Sequence, residues 1–394
     1  MITDAKVAIA GGSLGGLTAG LLLRDLGLDV TIYERSSERL ESRGAGIGFL
    51  PDASRYLVER AGVSLDSLST SVDVIRYLHR DGSVAHERQH TYHFSSWNTV
   101  YRHLRELFPD DRYLLGHEVL SHEQSDESVR MLLGTGDTVD ADLLVCADGV
   151  SSRFRDHFLP DAHRAYAGYV AWRGMVPESE LPGDVAESLG DAITYYLYAN
   201  SQILVYPIPG ADGSLSRGDR LINYVWYRNY KEGDDLADLM TDTHGQVQDT
   251  SLPPGHVRDM HVNEMRTHAQ ARLPRVISTV IQATAQPFLQ VVYDLAINRM
   301  AFGRVCLIGD AAVVMRPHAA AGTAKAAANA WALAQALTNH DTVPEALAAW
   351  EPGEVAMGYQ LAQRTQRLGY RSQVVSDWDS PEDDTLFRLR DEGP

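Results

Sequence analysis

A phosphate-binding unit occupies the start of this chain and constrains its fold more than any other stretch. Residues 6–10 are a short apolar run, residues 11–16 read GGSLGG, residues 17–26 have helical composition stopped by Gly27, and residues 29–33 form a second apolar run closed by Glu34. A pyrophosphate binds well at a helix N-terminus, where unpaired amides and the positive end of the dipole meet the anion, and glycines let the backbone come close. Gly11, Ser13, Leu14 and Gly15 are therefore the candidate cradle. Glu34 stands roughly 20 residues beyond the turn, where a carboxylate binds a ribose hydroxyl, with Arg35 beside it. The middle glycine of the G-x-G-x-x-G pattern is replaced by Ser13, which narrows the approach of a phosphate. The adenosine diphosphate half of NAD or FAD fits this unit; a tight turn that only packs helix on strand is the alternative.

Composition sets outer bounds. The 394 residues suffice for two well-buried substructures. A formal net charge of −18 opposes binding of nucleic acid. No apolar run approaches the roughly 20 residues of a membrane span, and no basic leader precedes the first strand, so the expectation is a cytoplasmic protein. Cys146 and Cys306 each end an apolar run and read as buried thiols, with no disulfide framework and no metal site.

Further along, residues 44–49 are glycine-dense and include Gly48; they form either a loop that brings backbone close to a flat or anionic group or an ordinary turn. Residues 72–79 and 83–88 form a hairpin at Asp81-Gly82. Short runs at 113–115, 118–122, 129–133 and 138–141 suggest a small meander that includes Val119. Residues 143–147 read as a buried parallel strand ending in Asp148-Gly149. From 168 to 287 the texture is aromatic β, with strands at 192–198, 201–208 and 221–227. Buried-strand character returns at 291–293 and 305–309, followed by Asp310, a loop with Pro317 and His318, and an alanine-rich helix over 322–337. A further helix over 345–367 breaks at Pro352-Gly353, and the acidic tail 376–394 reads as an interaction arm or as disordered.

Three elements beyond the first unit carry a family resemblance: CADGVSSR at 146–153, GYVAWRG at 168–174, and GRVCLIGDAA at 303–312 with Pro317 and Gly322. Together they resemble the single-component FAD-dependent aromatic hydroxylases, the para-hydroxybenzoate hydroxylase-like monooxygenases. GGSLGG, SWNTVYRHL, VYPIPG, NYVWYRN and RPHAAAGTAKAA resemble most the members of that family that act on hydroxylated pyridines of the 2,6-dihydroxypyridine type. The resemblance implies an α/β architecture: a Rossmann-like FAD-binding domain (1–71, 98–167 and 288–350), an inserted antiparallel β-sheet substrate domain (72–97 and 168–287), and a C-terminal helical segment with its tail (351–394). It implies FAD, NADH or NADPH as cosubstrate, O2, a small aromatic N-heterocycle as substrate, and a homodimer. The reaction it implies runs through a flavin C4a-hydroperoxide.

Carried over by position, Gly11, Ser13 and Gly15 would cradle the pyrophosphate and Glu34 the adenosine ribose. Arg43 and Arg102 would contact the phosphates and Asp310 the ribityl chain, with Leu14, Arg35, Gly48 and Val119 on the same cofactor. The helix beginning at Gly322 and Thr323 would aim its amides at the flavin pyrimidine edge. Two departures stand out: Val313 where the family commonly has His, and Lys325 where it often has Asn. An electron-rich ring reacts faster once its hydroxyl proton is removed, so a base should face the substrate. His318 is the first candidate, with a histidine behind the site or a merely solvated one as the alternative; Tyr206 and Tyr224 follow as hydrogen-bond partners of the substrate, with core packing as the alternative for each. The competing function classes are a FAD oxidase or dehydrogenase, and a non-catalytic flavin sensor.

Overall fold

The computed structural model describes residues 2, 4–41, 45–375 and 387–390. Six strands form the first sheet in the order Ala301–Phe302, Val305–Leu307, Leu143–Cys146, Lys6–Ala10, Asp29–Glu34, Tyr113–Leu115. All neighbours are parallel except the outermost pair at Ala301–Phe302. Both faces are covered, so Leu143–Cys146 is buried at every residue. Helix Leu14–Asp25 packs on this sheet and against helix Gly322–Asn339. Tyr113–Leu115 thus joins the parallel sheet; the three-stranded meander is made of Val119–Gln124, Val129–Leu133 and Thr138–Ala141. A three-residue apolar run has no period that distinguishes the two placements.

The second sheet is antiparallel apart from one parallel junction, between Ala192–Tyr198 and Thr70–Leu78. Its centre is Phe288–Ala296, Ala165–Pro177, Leu221–Asn229, Ser201–Ile208 and Ala192–Tyr198, in that order. Beyond Thr70–Leu78 lie Val84–Ser96 and, at the edge, Gly46–Gly48. Within the glycine-dense stretch, Gly46–Gly48 is therefore a short strand where a loop was expected, and Phe288–Ala296 belongs to this sheet instead of the parallel one. Burial alone marks a strand without saying which sheet it enters.

Alternation along the strands divides the side chains between two cores. Trp172, Ile203, Val205, Tyr224 and Trp226 face one way, into a core shared with helices Gly183–Leu189, Asp259–Arg272 and Arg275–Ala283. Ala171, Leu204, Tyr206, Val225 and Tyr227 face the other way, toward the parallel sheet and its helices. The functional space lies on that second face.

Helix Val343–Tyr370 runs unbroken through Pro352, contrary to the expected break. A proline removes one backbone hydrogen bond and disfavours a helix interior by about 3 kcal/mol. Trp350, Met357 and Leu361 are buried on the same helix and offset this by packing. Both cysteines are buried and free, as expected. Among the described residues no helix is long and apolar enough to cross a membrane, and no cluster of potential ligands could hold a metal ion.

Candidate active site

The glycine turn sits at the carboxyl end of Lys6–Ala10, where ligands of open α/β sheets bind. Gly11 has φ +105°, and a Cβ there would lie 2.3 Å from the Ala147 carbonyl oxygen. Ser13 is the N-cap of helix Leu14–Asp25 but its side chain makes no capping bond, and no acid lies in the first turn. The helix N-terminus is left electropositive, ready for an anion. Glu34 is buried; its Oε2 accepts the Gly12 amide and its Oε1 the Ser36 amide, each at 2.8 Å.

A cavity of about 270 Å³ opens here, lined by Gly11, Ser13, Glu34, Arg35, Val119 and Asp148 among others. Asp148 Oδ1 is buried without a hydrogen-bond partner, and burial holds its carboxyl above the usual range. An orphaned acceptor beside glycine amides is what a bound nucleotide with hydroxyl and phosphate groups would complement. Gly11, Ser13, Glu34 and Val119, far apart in sequence, thus border one cavity. Leu14 is buried in the core and can contribute only backbone. Arg43 lies outside the described residues. Arg102 lines neither cavity; its Nη2 donates to the Ala211 carbonyl at 3.3 Å.

A second cavity, of about 260 Å³, lies between the antiparallel sheet and the N-terminus of helix Gly322–Asn339. Gly48, Asp310, Gly322 and Thr323 line one side; Tyr206, Tyr227, Arg173 and Gln290 line the other. Helix Gly322–Asn339 has no side-chain cap and no acid in its first turn. Lys325, almost wholly buried, donates to Asp310 Oδ1 at 2.8 Å and to the Val313 carbonyl. The ion pair ties Asp310 to the first turns of that helix. Asn329 Oδ1 accepts the Gly309 amide at 3.0 Å and holds the Gly309-Asp310 turn from behind. The glycine strand comes close because it lacks side chains: a Cβ on Gly48 would lie 2.6 Å from the Ala320 Cβ, and one on Gly46 2.8 Å from Asn223 Cγ.

Two catalytic candidates need correction. Tyr224 lies on the opposite face of its strand, fully buried in the second core, because it has the same parity as Trp226. Its neighbour of the right parity is Tyr227, which lines the cavity. His318 does not line the cavity either. Its Nε2 is 2.8 Å from the Tyr169 hydroxyl, and its ring centroid is 4.6 Å from that of Tyr227, so it stands behind the wall. Desolvation, helped by the nearby Arg316, lowers its pKa to about 3. Tyr206 lines the cavity, stacked on Phe94 with centroids 4.1 Å apart.

Arg173 was not singled out from the sequence, although it stands in the GYVAWRG motif. Its Nη1 donates to Gln290 Oε1 at 3.0 Å and its Nη2 to the Gly46 carbonyl at 2.6 Å, while Nε is buried without a partner. A cation in an apolar sheet face at strand parity with Ala171 was the available signal.

The buried His318 gives a pH test. Unfolded, a histidine takes a proton near pH 6.5; folded, His318 does so only near about 3. Between those values the unfolded state binds more protons, so stability falls as pH falls. Replacing His318 with Gln removes that term. Denaturant titrations at about pH 7.5 and about 4.5 should show the variant losing about 2–3 kcal/mol less than the parent. Equal losses would show that His318 is not held neutral.

Comparison with known proteins agrees with this geometry. A family model described as FAD binding domain-like matches residues 166–294. The chain is 36% identical over 381 residues to 2,6-dihydroxypyridine 3-monooxygenase of Paenarthrobacter nicotinovorans, covering 94% of this chain and 92% of that one. The chain belongs to the FAD-dependent monooxygenases. The solved structure of 2,6-dihydroxypyridine-3-hydroxylase from Arthrobacter nicotinovorans superposes on this monooxygenase with TM-score 0.94 at 34% identity, covering 100% of this chain and 99% of that one. A more distant relative, 3-amino-4-hydroxybenzoate 2-monooxygenase of Streptomyces cremeus, is 27% identical over 93% of this chain and 87% of its own. The cofactor of the monooxygenase is FAD, and the orphaned Asp148 acceptor, the Gly11 turn and the uncapped helix N-termini at both cavities suit its two halves.

Proposed function

We propose that this monooxygenase hydroxylates a small hydroxylated pyridine of the 2,6-dihydroxypyridine kind, with NADH or NADPH and O2, and that it binds the ring as an anion. FAD, when bound, supplies the redox chemistry: it accepts a hydride equivalent and delivers one oxygen atom of O2 to the ring. The protein holds the ring, keeps water out and fixes charge.

The observation that carries the reading is the Arg173 guanidinium in the wall of the second cavity. Among the described residues, the acidic, basic and phenolic side chains lining that cavity are Arg173, Tyr206, Tyr227 and Asp310. Burial raises the pKa of both tyrosines, so they are neutral hydrogen-bond donors at physiological pH. Asp310 is already paired with Lys325. A ring hydroxyl that has lost its proton meets a fixed cation and two phenol groups there, and ionisation makes the ring the better nucleophile toward an electrophilic oxygen. His318 then has a packing role behind Tyr227, with no proton transfer of its own. Asp148 and Glu34 would hold the adenosine half of the cofactor, Gly11 and Ser13 its pyrophosphate, and Gly322 and Thr323 the flavin edge. We also propose the homodimeric assembly implied by the resemblance.

A panel of hydroxypyridines and hydroxybenzoates, scored by NAD(P)H consumption against hydroxylated product, tests the assignment. Coupled turnover is expected with 2,6-dihydroxypyridine, and kcat/KM should rise with pH through the ionisation of the ring itself. Preference for hydroxybenzoates would overturn the pyridine assignment and leave the family intact.

A further inference from the structure

The segment 387–390 carries two apolar side chains that an acidic, solvated tail would not need. Phe387 and Leu389 are 8% and 7% exposed, and both join the core that contains the parallel sheet. The Phe387 amide donates to the Tyr92 hydroxyl at 2.9 Å, and Arg364 Nη1, on the long helix, donates to the Arg388 carbonyl at 3.0 Å. Backbone and side chains both fix the segment.

The Phe387 ring lies 4.9 Å from that of Tyr92 and 6.2 Å, edge-on, from that of Phe94. Phe94 in turn stacks on Tyr206. Phe387, Phe94 and Tyr206 make one aromatic cluster, and Phe387 and Tyr206 reach the second cavity. Offset and edge-on contacts of this kind hold rings at fixed separations, so a wall built from them presents a hard, defined surface.

We propose that Phe387 is a specificity-determining residue, whose ring closes the substrate cavity and sets the size of the aromatic ring the enzyme accepts. The proposal rests on the reading of this cavity as the substrate site. On this proposal a second fused ring competes with the Phe387 side chain for space in the cavity that it lines. The same side chain keeps water from the reacting face, so removing it diverts reducing equivalents to hydrogen peroxide: NAD(P)H, O2 and a proton give NAD(P)+ and H2O2 in place of hydroxylated product.

The test uses full-length, FAD-loaded protein with Phe387→Ala, Phe387→Leu and Phe387→Trp. Binding of 2,6-dihydroxypyridine and of 2,4-dihydroxyquinoline is followed by the change each causes in the visible absorbance of FAD, and peroxide is measured per NAD(P)H consumed. The parent should favour the single ring. Phe387→Ala should weaken the single ring about tenfold, strengthen the bicyclic ring relative to it, and raise the peroxide fraction. Phe387→Leu, which keeps most of the apolar volume, should shift both in the same direction by less. Phe387→Trp should exclude the bicyclic ring further. An unchanged ratio of the two affinities across the variants that retain FAD overturns the role of Phe387. Failure of the parent to bind either ring overturns the reading of the cavity instead.

Discussion

Gly11→Ala is expected to purify without flavin. At φ +105° any side chain is strained, by about 1–3 kcal/mol in sparsely populated backbone regions. The added Cβ would also press within 2.3 Å of the Ala147 carbonyl oxygen, and backbone cannot swing aside as a long side chain can. Relief requires the turn to leave the strand end, and with it the amides of the helix N-terminus that face the pyrophosphate. Gly15→Ala is the internal control: its Cβ would meet the Ala326 Cβ at 3.1 Å, a contact that a small shift between two helices relieves. The ratio of visible to ultraviolet absorbance, with a thermal melt of each protein, measures the outcome. Gly11→Ala should show no flavin and a lowered melting temperature, and Gly15→Ala a partial loss. Full flavin content in Gly11→Ala would contradict the placement of the pyrophosphate at this turn.

Arg173→Met should remove most substrate recognition while leaving FAD in place, because Arg173 stands on the sheet wall of the second cavity, across from the Gly322–Thr323 side that would hold the flavin edge, and lines no part of the first. Losing one member of a desolvated, hydrogen-bonded charge pair costs about 2–5 kcal/mol, which corresponds to a fall in kcat/KM of between about 30-fold and a few thousand-fold. Arg173→Lys separates charge from geometry. Lysine keeps the charge but cannot reproduce a planar fork that reaches Gln290, Gly46 and the ring together. It should restore part of the affinity for the ring, with more hydrogen peroxide per NAD(P)H than the parent. Steady-state kinetics with a peroxide assay reads both. A kcat/KM for 2,6-dihydroxypyridine within a factor of about three of the parent in Arg173→Met would remove Arg173 from the substrate site.

The elements legible in the sequence are local ones. The turn at Gly11, the strand closed by Glu34 and the helix beginning at Gly322 each follow from a few consecutive residues, so they could be read in order. The parallel pairing of Lys6–Ala10 with Asp29–Glu34 follows from the same unit. The residues it misplaced depend on long-range register. Tyr224 and Tyr227 are both aromatic residues on one strand, and only the pairing of Leu221–Asn229 with Ala165–Pro177 and Ser201–Ile208 decides which face each takes. A one-residue difference reverses the face. His318 sits in the loop expected to approach the cofactor, yet the 3-10 turn Pro317–Ala319 points it inward, onto Tyr169. Phe387 was hidden for another reason. The composition around it is acidic, and average polarity outweighs the two apolar side chains that bind the segment to the core.

Turnover of 2,6-dihydroxypyridine under isotopically labelled O2 bears most directly on the function argued from this site. One labelled oxygen atom should appear in the ring of the product for each NAD(P)H consumed by FAD-loaded enzyme. Rapid NAD(P)H oxidation that the ring stimulates, with the label recovered only in hydrogen peroxide and water, would contradict hydroxylation and place the chain with the flavin oxidases in its chemistry.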